Sequence, residues 1–163
     1  MARAGSHDAV DLLRDRGLTV AVAESSAGGL IAAALTEAAG SSAWFKGGVV
    51  AYDAASKSGL LGIPSSLFEE HGSVSAQAAQ AMAEAARRLF GADIGIGETG
   101  IAGPGGGTPA KPVGLSYVAV ASAGGVQARE GYLLRGHLAG GSREQIRAAI
   151  VGQALSLLVD ALT

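Results

Sequence analysis

The sequence contains no cysteine and only three histidines among its 163 residues. Without cysteine, the chain cannot form disulfides, thiolate nucleophiles or cysteine-ligated metal centres. The histidines, His7, His71 and His137, lack the HxH or HxxxH spacing of a metal-binding pair. We therefore expect neither a bound metal nor thiol chemistry.

Basic residues are also scarce. Lysine and arginine total 12 against 14 acidic residues, which gives a formal net charge of −2, and no basic block interrupts the chain. Proteins that bind the phosphate backbone need a basic stripe or patch, so we expect no direct contact with nucleic acid. The first residues, MARAGSHD, lack a signal-peptide core, and no window approaches an apolar membrane span. This pattern predicts a cytoplasmic protein with no membrane partner.

Aromatic residues make up only 4% of the sequence, although 48% of it is hydrophobic. Alanine supplies much of this apolar content, and it packs helices closely while burying little area per residue. The length suits one domain with a single core, spanning residues 1–163. Because a core of small residues gains little from burial, we expect the domain to form a homo-oligomer.

Hydrophobic periodicity and the positions of turn and cap residues divide the chain into alternating elements. They predict helices over 6–16, 27–39, 53–61, 64–70, 75–90 and 142–162, with Asp53 and Ser75 as the N-caps of the third and fifth. They predict strands over 18–23, 44–52, 93–99, 115–122 and 127–134, with a turn at 123–125 and a loop over 135–141. Strands alternate with helices early and follow one another late. We therefore expect an α/β fold, a single domain with three α/β/α layers on a mixed sheet.

The segment TVAVAESSAGG, residues 19–29, joins a β-like apolar run to serines and glycines. A strand that ends at Ser25 and leads into a helix presents a hydroxyl next to free N–H groups, which stabilise an anion or an oxyanion. Serine is also a preferred helix N-cap, and most junctions of this type are only caps. The segment alone leaves both interpretations open.

A base for Ser25 would have to be a lysine, because no histidine lies near a plausible motif. Lys57 and Tyr52 are five positions apart across a predicted strand-to-helix junction, and this spacing lets both face one cavity. Burial would lower the pKa of Lys57 and make it a competent base. Pattern alone favours the alternative, a surface lysine beside a half-buried tyrosine.

Two further segments have features of binding sites. The loop GIAGPGGGTPAKP, residues 100–112, allows close backbone approach to a ligand but matches neither a P-loop nor a Rossmann fingerprint, and a mobile surface loop explains it equally well. The last predicted helix has Ser142 as a candidate cap and Arg143 in its first turn, followed by Arg147. A cation there opposes the helix dipole unless an anion such as a phosphate lies beside it. A local partner such as Glu144 is the alternative.

Together these segments resemble the CinA C-terminal domain family of nicotinamide-nucleotide amidases. The family pattern runs A-E-S-C-T-G-G, G-S-S-x-W-F, Y-x-x-x-x-K, G-x-A-G-P-x-G-G, K-P-V-G and a late G-D-R-x-x-V-R type segment. The matching segments, in the same order, are AESSAGG at 23–29, GSSAWFKGG at 40–48, YDAASK at 52–57, TGIAGPGGG at 99–107, KPVG at 111–114 and GSREQIR at 141–147. Six motifs in register over nearly the whole chain make the resemblance specific. No second domain precedes them, so the chain resembles the stand-alone form.

The resemblance implies hydrolysis of nicotinamide mononucleotide to nicotinate mononucleotide and ammonia, a reaction of NAD salvage, without metal or cofactor. The family's nucleophile matches Ser25, its acid/base residues match Tyr52 and Lys57, and an arginine needed for activity matches Arg143. Arg143 would contact the substrate phosphate or order the site. The other positions implied to bind the pyridine nucleotide, or to hold the oxyanion through main-chain N–H groups, are Ala27, Gly28, Gly29, Thr99, Gly100, Ala102 and Gly103.

Three positions depart from the family pattern: Ser26 and Ala27 replace cysteine and threonine, and Ser142 replaces aspartate. Ser26 makes the nucleophile ambiguous, although the A-E-S register favours Ser25. Ala27 lacks a hydroxyl that could contact substrate, and with Ser142 the orientation of the arginine must come from another group. These departures keep two alternatives open: a nucleotide-binding or partner-binding module without chemistry, and an amidase for another carboxamide.

Overall fold

The structure is a computed structural model and describes residues 2–122, 132–137 and 140–163. Its strands are β1 (Val20–Glu24), β2 (Phe45–Val50), β3 (Ile94–Gly100), β4 (Leu115–Ser122) and β5 (Tyr132–His137). Its helices are α1 (Ala2–Arg16), α2 (Leu30–Thr36), α3 (Ala54–Leu61), α4 (Ser65–His71), α5 (Ala76–Phe90) and α6 (Arg143–Leu162), with a short 3-10 turn at Ser41–Ala43.

The strands form one mixed sheet in the order β2-β1-β3-β4-β5. Strand β1 runs parallel to both β2 and β3, whereas β4 is antiparallel to β3 and to β5. The carboxyl ends of β1, β2 and β3 therefore lie at the same edge of the sheet. In sheets of this kind, that edge is where ligands usually bind.

Helices cover both faces of the sheet. On one face, α1, α2 and α6 bury a core with Val22 and Ile96 of the central strands. On the other face, α3, α4 and α5 pack against smaller side chains, including Ala21 and Ala23 of β1. All five residues of β1 are buried, as its continuous apolar character predicts for a strand covered on both sides. The predicted fold class, three α/β/α layers on a mixed sheet, is confirmed.

Helix α6 is the longest helix among the described residues and forms much of the first core. Ile146, Ile150, Leu155 and Leu158 on this helix are all buried. By length and composition alone it could cross a membrane, so the expectation that no window approaches a membrane span is wrong on that criterion. The buried side chains show why its composition is so apolar: the helix packs against α1 and against β4 and β5.

The second core is thin because glycines on β3 allow α5 to approach the sheet closely. A Cβ atom built on Gly97 would lie 2.1 Å from the main-chain oxygen of Ala79, and one on Gly95 would lie 2.0 Å from that of Ala83. Glycine alternates with isoleucine in β3. The glycines therefore lie on the face that packs against α5, and the isoleucine side chains lie on the face that packs against α6. This close packing explains how a chain with few aromatic residues fills its core.

Several predicted boundaries differ from the observed ones. Helix α2 begins at Leu30 rather than at residue 27, because residues 26–29 form turns and the N–H groups of residues 27 and 29 donate to buried carboxylates. The loop predicted over 135–141 is wrong for residues 135–137, because β5 pairs with β4 as far as His137. The predicted turn at 123–125 and the first part of the predicted strand over 127–134 lie outside the described residues.

Gly97→Ala tests the close packing of α5 on β3. The added methyl group would overlap the α5 backbone, so we expect the free energy of unfolding to fall by about 1–3 kcal/mol or more. Gly152→Ala is the matched control, because a Cβ at this α6 position meets nothing within 4 Å. At position 152, the higher helix propensity of alanine should raise the free energy of unfolding by about 0.5–1 kcal/mol. Urea unfolding of both variants measures this, and a neutral Gly97→Ala would contradict the packing argument.

Candidate active site

The carboxyl ends of the parallel strands open into a cavity of about 230 Å³. Two serines, a tyrosine and an arginine give it polar groups, and the glycine-rich segment after β3 forms another wall. Its lining residues are Ser25, Ser26, Tyr52, Gly100, Ile101, Ala102, Gly103, Gly105, Gly106 and Arg143. The cavity therefore brings together four of the six motifs that the sequence analysis identified.

The two serines that follow β1 have different hydrogen-bond partners. Ser25 Oγ donates to the main-chain oxygen of Tyr52 at 3.2 Å. Ser26 Oγ donates to Oε1 of Glu98, a side chain that is completely buried. The Ser26 hydroxyl is therefore engaged by a carboxylate, whereas the Ser25 hydroxyl makes only a long bond to a neutral carbonyl. This geometry favours Ser25 over Ser26 as the available nucleophile.

Two buried glutamates that sequence reasoning missed as functional residues hold this segment in place. Glu24 accepts hydrogen bonds from the N–H groups of Gly29, Ile31 and Ala32, at 3.0, 3.0 and 2.8 Å. It thereby satisfies the first turn of α2, which no side chain caps at its N-terminal boundary. Burial raises the pKa of Glu24, while these hydrogen bonds oppose that rise.

Glu98 makes an equivalent set of contacts with the serine turn itself. Its Oε2 accepts from the N–H groups of Ser25 and Ala27 at 2.9 and 3.0 Å. Burial raises the pKa of Glu98, and hydrogen bonds from Ser26, Ala27 and Ser25 oppose the rise. The signal in the sequence was a single acidic residue inside an apolar, glycine-rich strand, IGIGETG.

The N–H groups of Ala27, Gly28 and Gly29 are not free to hold an oxyanion. Ala27 donates to Glu98, Gly28 to the Ser25 carbonyl at 3.1 Å, and Gly29 to Glu24. The expectation that these groups bind the oxyanion is therefore corrected. The physical reason is that α2 starts three residues later than predicted, and two carboxylates and a main-chain carbonyl within the fold accept from these donors.

Lys57 lies in α3, whose N-cap is Asp53 as predicted, and its side chain is only 2% exposed. The alternative of a surface lysine is therefore excluded. Burial lowers the pKa of Lys57, and the negative charges of Glu98 and Asp53 partly oppose that shift. Its Nζ donates to Thr99 Oγ1 at 3.4 Å. Lys57 is absent from the cavity lining, which corrects the expectation that it faces one cavity with Tyr52.

Thr99 has a different position from the one predicted for it. It is completely buried, its hydroxyl donates to the main-chain oxygen of Ser73 at 2.7 Å, and it is absent from the cavity lining. Because its proton is committed to Ser73, its oxygen accepts from Lys57. Thr99 thus orients the lysine and does not contact a ligand in the cavity, which corrects its assignment as a substrate-binding residue.

Tyr52 and Arg143 form a pair at the cavity mouth. Tyr52 is 58% exposed, so the alternative of a half-buried core tyrosine is wrong. Arg143 donates from Nη2 to the Tyr52 hydroxyl at 2.9 Å and from Nη1 to the main-chain oxygen of Gly103 at 2.7 Å. Ser142 caps α6 and forms a capping box with Gln145, so it orients the helix, while Tyr52 and Gly103 orient the arginine.

The glycine-rich loop is tied to its surroundings at several points. A Cβ on Gly100 would lie 2.9 Å from Ser26 Oγ, so this glycine makes room for the serine turn. Gly103 has a φ of 75° and packs against Val113, where a Cβ would approach to 2.4 Å. Lys111 Nζ donates to the main-chain oxygen of His71 at 3.2 Å. These contacts make the loop part of the cavity wall, and Gly100 and Gly103 both line the cavity.

The family model of the CinA C-terminal domain matches residues 3–162. This chain belongs to the CinA C-terminal domain family. A CinA-like protein from Mycolicibacterium vanbaalenii is 50% identical over 147 residues, which make up 90% of this chain and 34% of that relative. A CinA-like protein from Geobacter sulfurreducens is 46% identical over 147 residues with the same coverage. The CinA domain described here thus spans about a third of the length of these curated relatives.

Solved structures of the CinA superfamily share the whole fold. The competence/damage inducible protein from Agrobacterium tumefaciens has 39% sequence identity and a TM-score of 0.88, with 99% of this chain and 94% of that chain covered. A CinA superfamily protein from Klebsiella pneumoniae has 30% identity and a TM-score of 0.91, with 99% and 98% covered. These names describe competence or damage induction and state no chemical reaction.

The donor set around the CinA cavity does not resemble a metal centre. Within residues 2–122, 132–137 and 140–163, no group of three or more His, Asp and Glu side chains could hold a metal ion. The polar groups at the cavity are hydroxyls, a guanidinium and main-chain amides. Hard divalent cations prefer carboxylate and carbonyl oxygens in larger number.

The burial of Lys57 predicts a pH dependence of stability. Its pKa in the folded protein lies below its ordinary value of 10.5, so between these two values the unfolded chain binds a proton that the folded protein does not. Stability therefore rises with pH through this window and is lost as pH falls through the folded pKa. Relative to Lys57→Met, wild type should gain up to about 1.4 kcal/mol per pH unit there.

Urea unfolding from pH 7 to above the ordinary lysine pKa measures this difference. Lys46→Met is the control, because Lys46 is exposed. Its unfolding free energy should follow that of wild type at each pH, within about 0.5 kcal/mol. Parallel curves for wild type and Lys57→Met would contradict the burial argument.

Proposed function

We propose that this CinA domain hydrolyses the carboxamide of nicotinamide mononucleotide, giving nicotinate mononucleotide and ammonia. The observation that carries the proposal is the Ser25 hydroxyl in the cavity, with the buried Lys57 held next to β3. A serine becomes a nucleophile only when a base takes its proton, and a desolvated lysine is neutral for a larger share of the time than an exposed one. The resemblance of the six motifs to the amidase pattern supports the substrate.

In the proposed reaction, Ser25 Oγ attacks the carboxamide carbon while its proton passes to neutral Lys57. The hydroxyl would turn away from the Tyr52 carbonyl, to which it makes a bond of only 3.2 Å. The carbon–nitrogen bond then breaks, ammonia leaves with the proton, and an acyl ester remains on Ser25. Water attacks this ester with Lys57 again as base, which releases the carboxylate and restores the serine.

Tyr52 is suited to pass a proton to the leaving nitrogen. Because Arg143 donates to the Tyr52 oxygen, the tyrosine's own proton is free to point towards the cavity. The same arginine holds the Gly103 carbonyl, so it orders the tyrosine and the loop together. These two contacts support an ordering role for Arg143.

The oxyanion needs donors other than Ala27, Gly28 and Gly29. Ala102 and Gly103 line the cavity, and their main-chain N–H groups donate to no acceptor within the described residues. We propose these two groups as the oxyanion donors. Fixed donors of this type stabilise developing charge without reorganisation, which is the largest contribution to catalysis in many acyl-transfer enzymes.

The cytoplasmic location and the homo-oligomeric state remain predictions.

Ammonia release from nicotinamide mononucleotide tests the proposed reaction and its nucleophile. We expect release by wild type with and without EDTA, and a loss of at least about 1000-fold in Ser25→Ala. Ser26→Ala is the matched control: it removes a partner of Glu98 and should cost only about 10-fold. Loss of activity in Ser26→Ala alone would overturn the assignment of Ser25. Stabilisation of wild type by the nucleotide without ammonia release would favour the binding-module alternative.

A double-mutant cycle tests whether Tyr52 and Arg143 act as one unit. Tyr52→Phe and Arg143→Ala should each lower kcat about 10–100-fold, because each removes part of the same proton-donating group. The kcat of the double variant should be little lower than that of the less active single variant, because the effects of removing groups that act together are not additive. Arg88→Ala, which removes an exposed arginine from α5, should match wild type. Additive losses would show that the two residues act independently.

A further inference from the structure

We propose that Glu98 is a positioning residue for the amidase reaction: it fixes the main chain that carries Ser25, while the next residue of β3, Thr99, orients Lys57. This inference rests on the proposed function. It concerns a side chain that lines no part of the cavity and that the sequence pattern did not assign.

The contacts of Glu98 all converge on the serine turn. Oε2 accepts from the N–H groups before and after Ser26, those of Ser25 and Ala27, and Oε1 accepts from the Ser26 hydroxyl. The carboxylate is 0% exposed, and a buried charge is costly unless it is fully hydrogen-bonded. Glu98 is bonded in this way only because the turn at 25–27 supplies three donors. The turn and the carboxylate therefore hold each other in one arrangement.

Residues at the end of β3 contact both the serine turn and the proposed base, Lys57. Successive side chains of a strand point to opposite faces, so Glu98 and Thr99 leave β3 in opposite directions. Glu98 binds the serine turn, while Thr99 accepts from Lys57. The distance between nucleophile and base is thereby set by two neighbouring residues on one rigid strand. Gly100, the next residue, leaves the space that Ser26 Oγ occupies.

Carboxylates on two different elements influence the protonation of Lys57. Asp53 lies on its own helix, α3, and Glu98 lies on β3; both favour the charged form of the lysine, against the effect of burial. Thr99 on β3 is neutral and accepts its hydrogen bond. Removing the charge of Glu98 while Asp53 remains should therefore make Lys57 lose its proton at a lower pH. Catalysis by neutral Lys57 would then extend to more acidic conditions.

Two substitutions separate the effect of the side-chain length of Glu98 from the effect of its charge. Glu98→Gln keeps the side-chain length and an oxygen that can accept from the Ser25 and Ala27 amides, but it has no charge. We expect the acid limb of kcat/KM against pH to move down by about one pH unit. Glu98→Asp keeps the charge but withdraws the carboxylate from the turn. We expect its acid limb to stay at the wild-type pH and its kcat to fall about 10–100-fold with little change in KM.

Glu24→Gln is the matched control, because Glu24 is also buried at a strand end but binds α2 rather than the serine turn. Its acid limb should stay within about 0.3 pH units of wild type, whatever its effect on stability. A role of Glu98 in folding alone would lower the melting temperature of its variants and leave their pH profiles unchanged.

Ammonia release from nicotinamide mononucleotide, followed from pH 5 to 10 with melting temperatures for each variant, decides between the outcomes. A lowered acid limb in Glu98→Gln, together with the kcat loss in Glu98→Asp, supports the inference. If wild type is active and both variants keep its pH profile and kcat, the inference is overturned and the proposed function stands. If Glu98→Gln does not fold, an unchanged kcat in Glu98→Asp overturns the inference. If wild type releases no ammonia, the proposed function fails, and this inference fails with it.

Discussion

The organisation of the site depends on two carboxylates that are buried at the ends of adjacent parallel strands. Glu24 ends β1 and Glu98 lies near the end of β3, and each accepts three hydrogen bonds from the segment between Ser25 and Ala32. A buried carboxylate without donors is strongly destabilising, so this segment has little freedom to adopt another path. The serine that follows β1 is consequently held by the interior of the protein as well as by its own strand.

Small residues make this arrangement fit into a short chain. Gly95 and Gly97 allow α5 to lie directly on β3, and Gly100 leaves room for the Ser26 hydroxyl. The same close packing brings the loop before α5, with the Ser73 carbonyl, within hydrogen-bond distance of Thr99. Thr99 in turn receives the hydrogen bond of Lys57. Small residues thus let main-chain segments pack directly against one another. This packing accounts both for a core with few aromatic residues and for the geometry of the site.

The sequence predicted the fold well where the signal was local. The caps Asp53, Ser75 and Ser142 were identified from residue type, and each makes the predicted hydrogen bond. Of the residues that the family pattern assigned to one site, Ser25, Tyr52 and Arg143 line the same cavity, whereas Lys57 is buried and absent from its lining.

The sequence did not reveal what depends on pairing between distant residues. Ser25 and Glu98 are 73 positions apart, so nothing near the serine indicates that its turn binds a carboxylate instead of continuing as a helix. The true extent of β5 depends on its register with β4, and the orientation of Lys57 depends on Thr99 from another strand. In each case a contact between separate elements overrode the local preference on which the prediction relied.

The parallel pairing of β1 with β3 also has a consequence for how the molecule reaches this state. The two strands are brought together only when the chain closes a loop that includes β2 and helices α2 to α5. Before that closure Glu98 has no access to the serine turn, and both glutamates remain hydrated. We therefore expect Ser25 to gain its final conformation in the same late step that assembles the central sheet. A partly folded chain would then lack the ordered serine turn, and the proposed chemistry would be restricted to fully folded molecules.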